Sequence, residues 1–477
     1  MSLLELPVEL LHQICELMPF QDDIHQLRLV NRAISAVADD FFLKKIALHF
    51  IRSEFETMQN ICQRNKHVAN GVRELYLHTD RYRPFSVFPL WKAQVHHTEL
   101  MDAGARGELP SLDEVFAFDE LDERTQRRVR RRLVNTQKAI SKLHSEQELE
   151  DAYNHYQSVL LDQFRLVNEK ASLAFYRRMF ELCPKLDDIL FNLDDSSNGY
   201  FRSWKCVEDL RRTLMPPIGD EISNQPCMVP LTHALIAAAE SGRELRSIAV
   251  APLSYQFFDQ EEEVMSKIYK SMHTVKDLCL DINTVAKRDV PKPSNWTLSH
   301  QTLSHSRTAL EEDVVAESRV LEALAGGRIA ELLRHAPSLR SLSFYAPFFA
   351  TSPGAAMSLK NIAGEIYWHH LRVLALSKFR CEPQELTALI TRHSATLESL
   401  RLGQIIFSKG TARDCFQAFA GKMPRLREVK IKGEFVGEGE SLALWNQIDC
   451  DRFGSWIVTG GDWPDDIETS DLDSLIA

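Results

Sequence analysis

The chain has 477 residues and a formal net charge of −11, with 44% hydrophobic and 26% charged residues. This composition is typical of a soluble folded protein, and its acidic balance argues against a dedicated nucleic-acid-binding protein. Nine cysteines without CxxC spacing argue against zinc and dithiol redox sites and favour a reducing compartment. No apolar run reaches the roughly 18 residues of a membrane span, and a signal peptide is not evident. We therefore expect an intracellular protein, in the cytoplasm, the nucleus or both, that does not bind a membrane.

The first fifty residues predict three short helices. The first begins at Pro7, which is tolerated in a first helical turn, and ends near Met18 before a second proline. Asp22 is a plausible N-cap of the second helix. The third is predicted from Ile34 to Leu48 by its apolar spacing. Such a small and very apolar trio requires either a partner or packing against the rest of the chain.

The segment LPVELLHQICELMPFQDDIHQLRLVNRAISAVADDFF resembles the F-box. The resemblance rests on the Leu6-Pro7 opening, on the run from Leu27 to Arg32 and on Phe41-Phe42. It implies docking on a Skp1-type adaptor, which would link the chain to a cullin–RING ubiquitin ligase. It also implies which residues form or support the adaptor-facing surface: Leu6, Pro7, Leu10, Ile14, Leu27, Leu29 and Val30.

An apolar-x-x-apolar-x-apolar pattern recurs eight times in the remainder of the chain. Its middle apolar residues are Leu75, Ile189, Ile248, Leu278, Leu342, Leu374, Leu400 and Val429. Neighbouring copies lie 26 to 32 residues apart where the rhythm is regular, which is typical of a leucine-rich repeat with one strand and one helix per unit. We therefore predict an α/β fold: a three-helix F-box followed by an irregular leucine-rich-repeat-like solenoid with a helical insertion. As a whole, the chain resembles fungal-type F-box proteins with such a degenerate repeat body. An ordinary α/β domain is the alternative.

Changes in this rhythm divide the chain into five predicted parts. They are the F-box (1–50), a linker helix with the first repeat strand (51–80), a mostly helical insertion (81–170), the solenoid (171–435) and a C-terminal cap with an acidic tail (436–477). Within the insertion we expect an irregular aromatic loop over Tyr82–Trp91 and two helices, Leu121–Leu143 and Gln147–Val167. We also expect a mobile loop over 286–308 and a disordered tail from Asp462.

The chain shows no sequence pattern of a catalytic or cofactor site. It lacks phosphate-binding glycine loops and the HExxH and GxSxG motifs, so we expect neither a catalytic residue nor a metal or cofactor. The run from Arg124 to Arg132 holds six arginines. It is interpreted as a solvated helix face in preference to a nuclear-import or phosphate-binding segment.

The residues between the flanking apolar positions of each repeat strand should face the concave side. On that side we expect substrate contacts from Asp281, Tyr345, Arg401, Lys430 and Lys432. The predicted function is substrate recognition in a Skp1–cullin–F-box ligase, with an unknown protein as substrate. The alternative is a cullin-independent scaffold in which the F-box-like helices only cap the repeat body.

Overall fold

The structure is a computed structural model, and most of the chain is described by it. The described residues are 6–18, 21–41, 43–78, 82, 84–85, 87–109, 122–168, 170–191, 211–215, 228–283, 322, 325–346, 357–438, 440–444, 446–464 and 469–471. The predicted loop at 286–308 lies outside them.

Helices and strands alternate along most of the described chain. The helices are α1 Val8–Leu17, α2 Gln21–Val30, α3 Arg32–Ala38, α4 Arg52–Arg64, α5 Lys66–Gly71, α6 Phe88–Ala105, α7 Glu123–Ile140, α8 Glu146–Asn168, α9 Ala171–Leu182, α10 Met228–Ser241, α11 Glu262–Ser271, α12 Arg328–Arg334, α13 Leu359–Ile362, α14 Pro383–Arg392, α15 Ala412–Phe419 and α16 Gln447–Thr459. The strands are β1 Lys45–His49, β2 Glu74–His78, β3 Asp188–Phe191, β4 Ser247–Ser254, β5 Asp277–Asn283, β6 Ser341–Tyr345, β7 Met357–Ser358, β8 Val373–Cys381, β9 Ser399–Phe407, β10 Glu428–Val436, β11 Glu440–Leu444 and β12 Thr469–Asp471. The predicted mixed α/β class with N-terminal helices is confirmed.

These strands form one sheet whose order follows the chain. The path runs from β1 to β12, with the short β7 paired beside β8 and not on the path itself. Every pairing from β1 to β10 is parallel, whereas β10–β11 and β11–β12 are antiparallel. Parallel neighbours need a crossover connection, and the helices between successive strands supply it.

A ladder of backbone hydrogen bonds joins the starts of the parallel strands. The carbonyl of Arg246 accepts the N–H groups of Lys276 and Asp277 at 2.7 and 3.1 Å. The carbonyl of Lys276 in turn accepts those of Arg340 and Ser341 at 2.7 and 3.0 Å. The same pair of hydrogen bonds to one carbonyl recurs at each parallel step from Lys44 to Glu428. Each recurrence of the apolar pattern therefore begins with the same geometry.

The core lies between the sheet and the helices that follow its strands. The apolar residues of the recurring pattern point into it: Leu278, Leu342, Leu374 and Leu400 are all at most 2% exposed. They belong to a cluster that extends from β1 to α16. Since strand side chains alternate in direction, the intervening residues lie on the opposite, more polar face.

The segment after β2 contains a helix that the sequence prediction missed. Residues expected to form an irregular aromatic loop enter α6, whose first turn holds Pro89. Trp91 is fully buried on this helix and stacks near Tyr153 and Tyr156 of α8, with ring centroids 5.4 and 6.1 Å apart. Two expected helices correspond to α7 and α8, so the described insertion has three helices.

Two further expectations were wrong at the ends of the chain. The third N-terminal helix ends at Ala38, and the segment to Leu48 contains β1. From Lys45 to Leu48 the buried residues alternate with more exposed ones, which is the period of a strand. The tail expected to be disordered contains a buried Trp463 and the strand β12, which pairs with β11.

Candidate functional site

The three N-terminal helices enclose a small core of their own. Its buried members are Leu11, Cys15, Ile24, Val37 and Ala38, with Leu6, Met18, Leu27 and Phe41 packed against it. The core takes one side of α1 and of α2, and most of the described residues on their opposite sides are exposed. Two of the predicted adaptor residues, Leu6 and Leu27, therefore support the helices from within.

The outer side of these helices carries exposed apolar side chains. Leu29 and Val30 at the end of α2 are 80% and 65% exposed, and Leu10 on α1 is 42% exposed. Val8 and Leu17 on α1, which were not among the predicted residues, are 50% and 82% exposed. We call these five residues the apolar rim. Exposed aliphatic side chains such as these are available for a protein–protein contact.

The other two predicted adaptor residues accompany the rim. Pro7 is exposed just before α1, and Ile14 is half-buried on the same helix. Ile14 and Leu17 follow Leu10 by four and seven residues, so the three lie on one helical stripe. The sequence spacing was therefore sufficient to place Leu17 with Leu10.

Polar contacts fix the turn between α2 and α3. The side-chain oxygen of Asn31 accepts the N–H of Ala33 at 2.7 Å and caps α3. The Nε of Arg28 donates to Oδ1 of Asp39 at 2.5 Å, which ties α2 to the short 3-10 helix after α3. Since Leu29 and Val30 lie between these contacts, their position on the surface is well defined.

The N-terminal helices lead into the sheet through strand β1, and residues 43–78 are described without interruption. Strand β1 pairs with β2, and Nζ of Lys45 lies 3.0 Å from Oε2 of Glu74. Gly71 at the end of α5 lies so close to the carbonyl of Asp40 that a Cβ there would overlap it. The guanidinium of Arg73 is 3.7 Å from a carboxylate oxygen of Glu16 on α1. The N-terminal helices thus touch the rest of the chain at the Asp40–Gly71 and Glu16–Arg73 contacts.

The polar face of the sheet is defined here by three rows of residues across β5, β6, β8, β9 and β10. The first row is Asp277, Ser341, Val373, Ser399 and Glu428. The middle row is Cys279, Ser343, Ala375, Arg401 and Lys430. The last row is Asp281, Tyr345, Ser377, Gly403 and Lys432. All five residues predicted to contact substrate lie on this face.

At the β9–β10 end of the polar face, one carboxylate pairs with two cationic side chains. Glu428 lies 2.8 Å from Nζ of Lys430 and 3.5 Å from the guanidinium of Arg401. Hydrogen bonds from Lys430 and Ser399 lower the pKa of Glu428 to about 2, so it stays ionised. Lys432 is exposed, and no described residue forms an ion pair with it.

The β5–β6 end of the polar face is more recessed. Burial raises the pKa of the Cys279 thiol to about 11, which makes it a poor nucleophile at neutral pH. Burial likewise raises the pKa of Asp281, although the nearby Lys378 opposes this shift. Tyr345 is the direct cross-strand neighbour of Asp281. Within the described chain, neither residue has a side-chain hydrogen bond.

The arginine run and the possible metal and membrane sites are the remaining candidates within the described residues. The arginine run lies on α7, where Glu123 pairs with Arg127 and Nε of Arg132 donates to the carbonyl of Glu108 at 3.0 Å. Among the described residues, no group of three or more His, Cys, Asp or Glu side chains is placed to hold a metal ion. None of the helices searched, all within the described chain, is both long and apolar enough to cross a membrane.

Comparison with known proteins assigns the N-terminal helices. The F-box domain family matches residues 3–46, a range that covers α1 to α3 and the first two residues of β1. No curated protein matches the chain closely enough to extend this assignment to the remaining residues. Proteins with this domain are typically substrate receptors of Skp1-dependent ubiquitin ligases and not enzymes. The chain therefore contains an F-box domain at residues 3–46.

Proposed function

We propose that the chain is the substrate-recognition subunit of a Skp1–cullin–F-box ubiquitin ligase. The observation that carries this proposal is the apolar rim on a matched F-box domain. The F-box would bind a Skp1-type adaptor in the cytoplasm or nucleus, and the sheet would bind a protein substrate. Highly exposed side chains such as Leu29 gain most from being covered by a partner, since burying a leucine contributes about 1.5–3 kcal/mol.

The adaptor contact is proposed to include the predicted residues in two roles. Leu10, Leu29 and Val30, with Pro7 beside them, would touch the adaptor directly. Leu6, Ile14 and Leu27 would hold the helices in position, since they are only partly exposed. The remaining rim residues, Val8 and Leu17, extend the same contact.

The sheet and its helices are proposed to form a leucine-rich-repeat-like solenoid. The sequential strand order and the recurring carbonyl ladder support this interpretation, because a solenoid stacks each unit only on its neighbours. The division of the chain into the five predicted parts is kept as part of this proposal. Substrate would lie against the polar face, with Asp281, Tyr345, Arg401, Lys430 and Lys432 as the predicted contacts.

The proposed mechanism is proximity without chemistry on this chain. Binding a substrate beside the ligase turns an encounter between substrate lysines and a charged conjugating enzyme into an effectively intramolecular one. The chain would therefore contribute binding and orientation only, and no catalytic residue or cofactor is assigned to it.

The test is co-purification of the full-length chain with a Skp1-type adaptor, wild type against Leu29→Asp. We expect the variant to lower adaptor affinity at least about 30-fold, because a charge would enter an apolar interface centre. Ile448→Asp is the matched control, since Ile448 is 79% exposed on α16, outside the F-box. A folded wild-type chain that does not bind the adaptor would refute the proposal.

One observation favours a second candidate, the cullin-independent scaffold. The F-box is fused to the sheet through β1 and the Arg73–Glu16 contact, as a capping element would be. This candidate predicts a stable chain without adaptor, and unchanged turnover of its partners when the chain is deleted. Adaptor binding that is lost in Leu29→Asp, together with slower partner turnover in deleted cells, would exclude it.

A further inference from the structure

The last row of the polar face carries opposite charges at its two ends. Asp281 on β5 and Lys432 on β10 are separated by Tyr345, Ser377 and Gly403 on the intervening strands. Neither end has an ion-pair partner among the described residues, whereas the charges of the neighbouring rows at β9 and β10 are paired through Glu428. The row therefore offers one anionic and one cationic position.

The centre of this row is formed by two small residues, Ser377 and Gly403. A Cβ at Gly403 would lie 3.0 Å from the carbonyl oxygen of Lys432 and 3.1 Å from Oγ of Ser377. Because Gly403 has no side chain and Ser377 has a short one, the middle of the row carries little side-chain bulk between Tyr345 and Lys432. A main chain crossing the strands can approach the sheet here more closely than over a row of large side chains.

The carboxylate end is only partly solvated. Burial raises the pKa of Asp281, and the attraction of Lys378 does not cancel this effect. A carboxylate that has lost solvent without gaining a hydrogen bond is stabilised by an incoming cation that donates to it. The neighbouring Tyr345 adds a ring face that a long basic side chain can cover.

We propose that this row binds an extended segment of a partner protein that carries a basic and an acidic side chain about six residues apart. The basic side chain would pair with Asp281 and the acidic one with Lys432. Four strand spacings of about 4.8 Å separate the two residues by about 19 Å, and an extended chain rises about 3.3 Å per residue. This inference rests on the proposed function, since it describes the substrate of the same face.

The test uses the full-length chain and an array of synthetic Gly/Ser peptides. Each peptide carries one Lys and one Glu, separated by two to nine residues; further peptides carry Lys–Lys or Glu–Glu pairs. We expect wild-type binding to be strongest near a separation of six residues and roughly tenfold weaker at the extremes. Binding that depends only on net charge, or no binding to any peptide, would overturn the proposal.

Two charge reversals should change which peptides are preferred, and a variant that merely fails to fold would not show such a change. Asp281→Lys should shift preference to the Glu–Glu peptides, and Lys432→Glu should shift it to the Lys–Lys peptides. Glu181→Lys and Lys185→Glu are matched controls on exposed sites of α9 and the turn after it, and they should keep the wild-type preference. Reversals that leave the preference unchanged would contradict the proposal. Adaptor binding is measured on the same proteins, so a failure of the proposed ligase role is seen separately.

Discussion

Arg246 and Asp188 form an ion pair between the starts of two neighbouring strands, β4 and β3. The carboxylate is largely buried, and its other oxygen, Oδ1, has no hydrogen-bond partner among the described residues. Burial raises the pKa of Asp188 to about 6, and this effect outweighs the opposing influence of the arginine. The pair therefore illustrates that a buried ion pair can reduce stability at neutral pH.

Asp188→Asn should flatten the pH dependence of unfolding. Because the folded pKa lies above the unfolded value of about 3.8, the carboxyl favours folding below pH 4, and this contribution is lost as the pH rises through about 6. We expect the free energy of unfolding of the wild type to fall by about 1–2 kcal/mol over this rise in pH, after allowance for solvent screening. Urea unfolding at several pH values measures it. The exposed Asp259→Asn control should retain the fall, and an unchanged profile in Asp188→Asn would contradict this account.

His233 should act in the opposite direction. Burial lowers its pKa to about 4, and its Nδ1 lies 2.6 Å from Oγ of Ser172. The neutral ring is therefore favoured in the folded protein, and stability should fall by about 1–2 kcal/mol as the pH drops from 6.5 to 4. His233→Gln keeps a polar partner for Ser172 and should remove this fall. His273→Gln, at an exposed turn, serves as the control.

Ile46→Ala should destabilise both the F-box junction and the sheet. Ile46 is 1% exposed and opposite Leu75 in the β1–β2 pairing. Removal of a buried isoleucine to alanine costs about 2–5 kcal/mol. Chemical unfolding followed by circular dichroism should show the loss, whereas Lys45→Ala at the exposed neighbour should cost less than about 1 kcal/mol. Equal effects of the two variants would argue against β1 as part of the sheet.

Gly71→Ala should also be destabilising, because its new Cβ would overlap the carbonyl of Asp40. We expect a loss of about 1–3 kcal/mol, as in other overpacked contacts. Gly104→Ala in α6 is the matched helical control. Its Cβ would meet only the flexible Leu109 side chain at 3.3 Å, so better helix propensity should leave the protein unchanged or stabilise it by up to about 1 kcal/mol. Thermal unfolding of both variants provides the comparison.

Much of the sheet could be predicted because its pattern is local. Leu342 and Leu374 fall at matching positions of the recurring pattern, and they are neighbours in the register of β6 and β8. Strand β1 was missed because Ile46 also fits the end of a helical stripe, and only its pairing with β2 decides between helix and strand. Helix α6 begins within the segment predicted to be an aromatic loop, and the proline in its first turn is compatible with a helix.

The candidate site was predictable to a similar extent. The F-box residues were predicted from the resemblance, and helical spacing adds Leu17, which shares the stripe of Leu10. Which charges of the polar face are paired does not follow from spacing, because Glu428 pairs both with Lys430 on its own strand and with Arg401 on the neighbouring strand. The isolation of Asp281 and Lys432 is likewise a property of strand register, which connects residues far apart in the chain.

The fusion of the F-box to the sheet has a consequence for how a bound substrate would be presented. A flexible tether lets a substrate sample many distances from the adaptor, whereas paired strands and a contact as close as that of Gly71 with Asp40 allow few. Under the proposed function, the fold would hold the substrate at a fixed distance and direction from the adaptor. Only those substrate lysines that fall at the set distance and direction from the adaptor would be modified, so the site of modification would be selected by geometry as well as by binding.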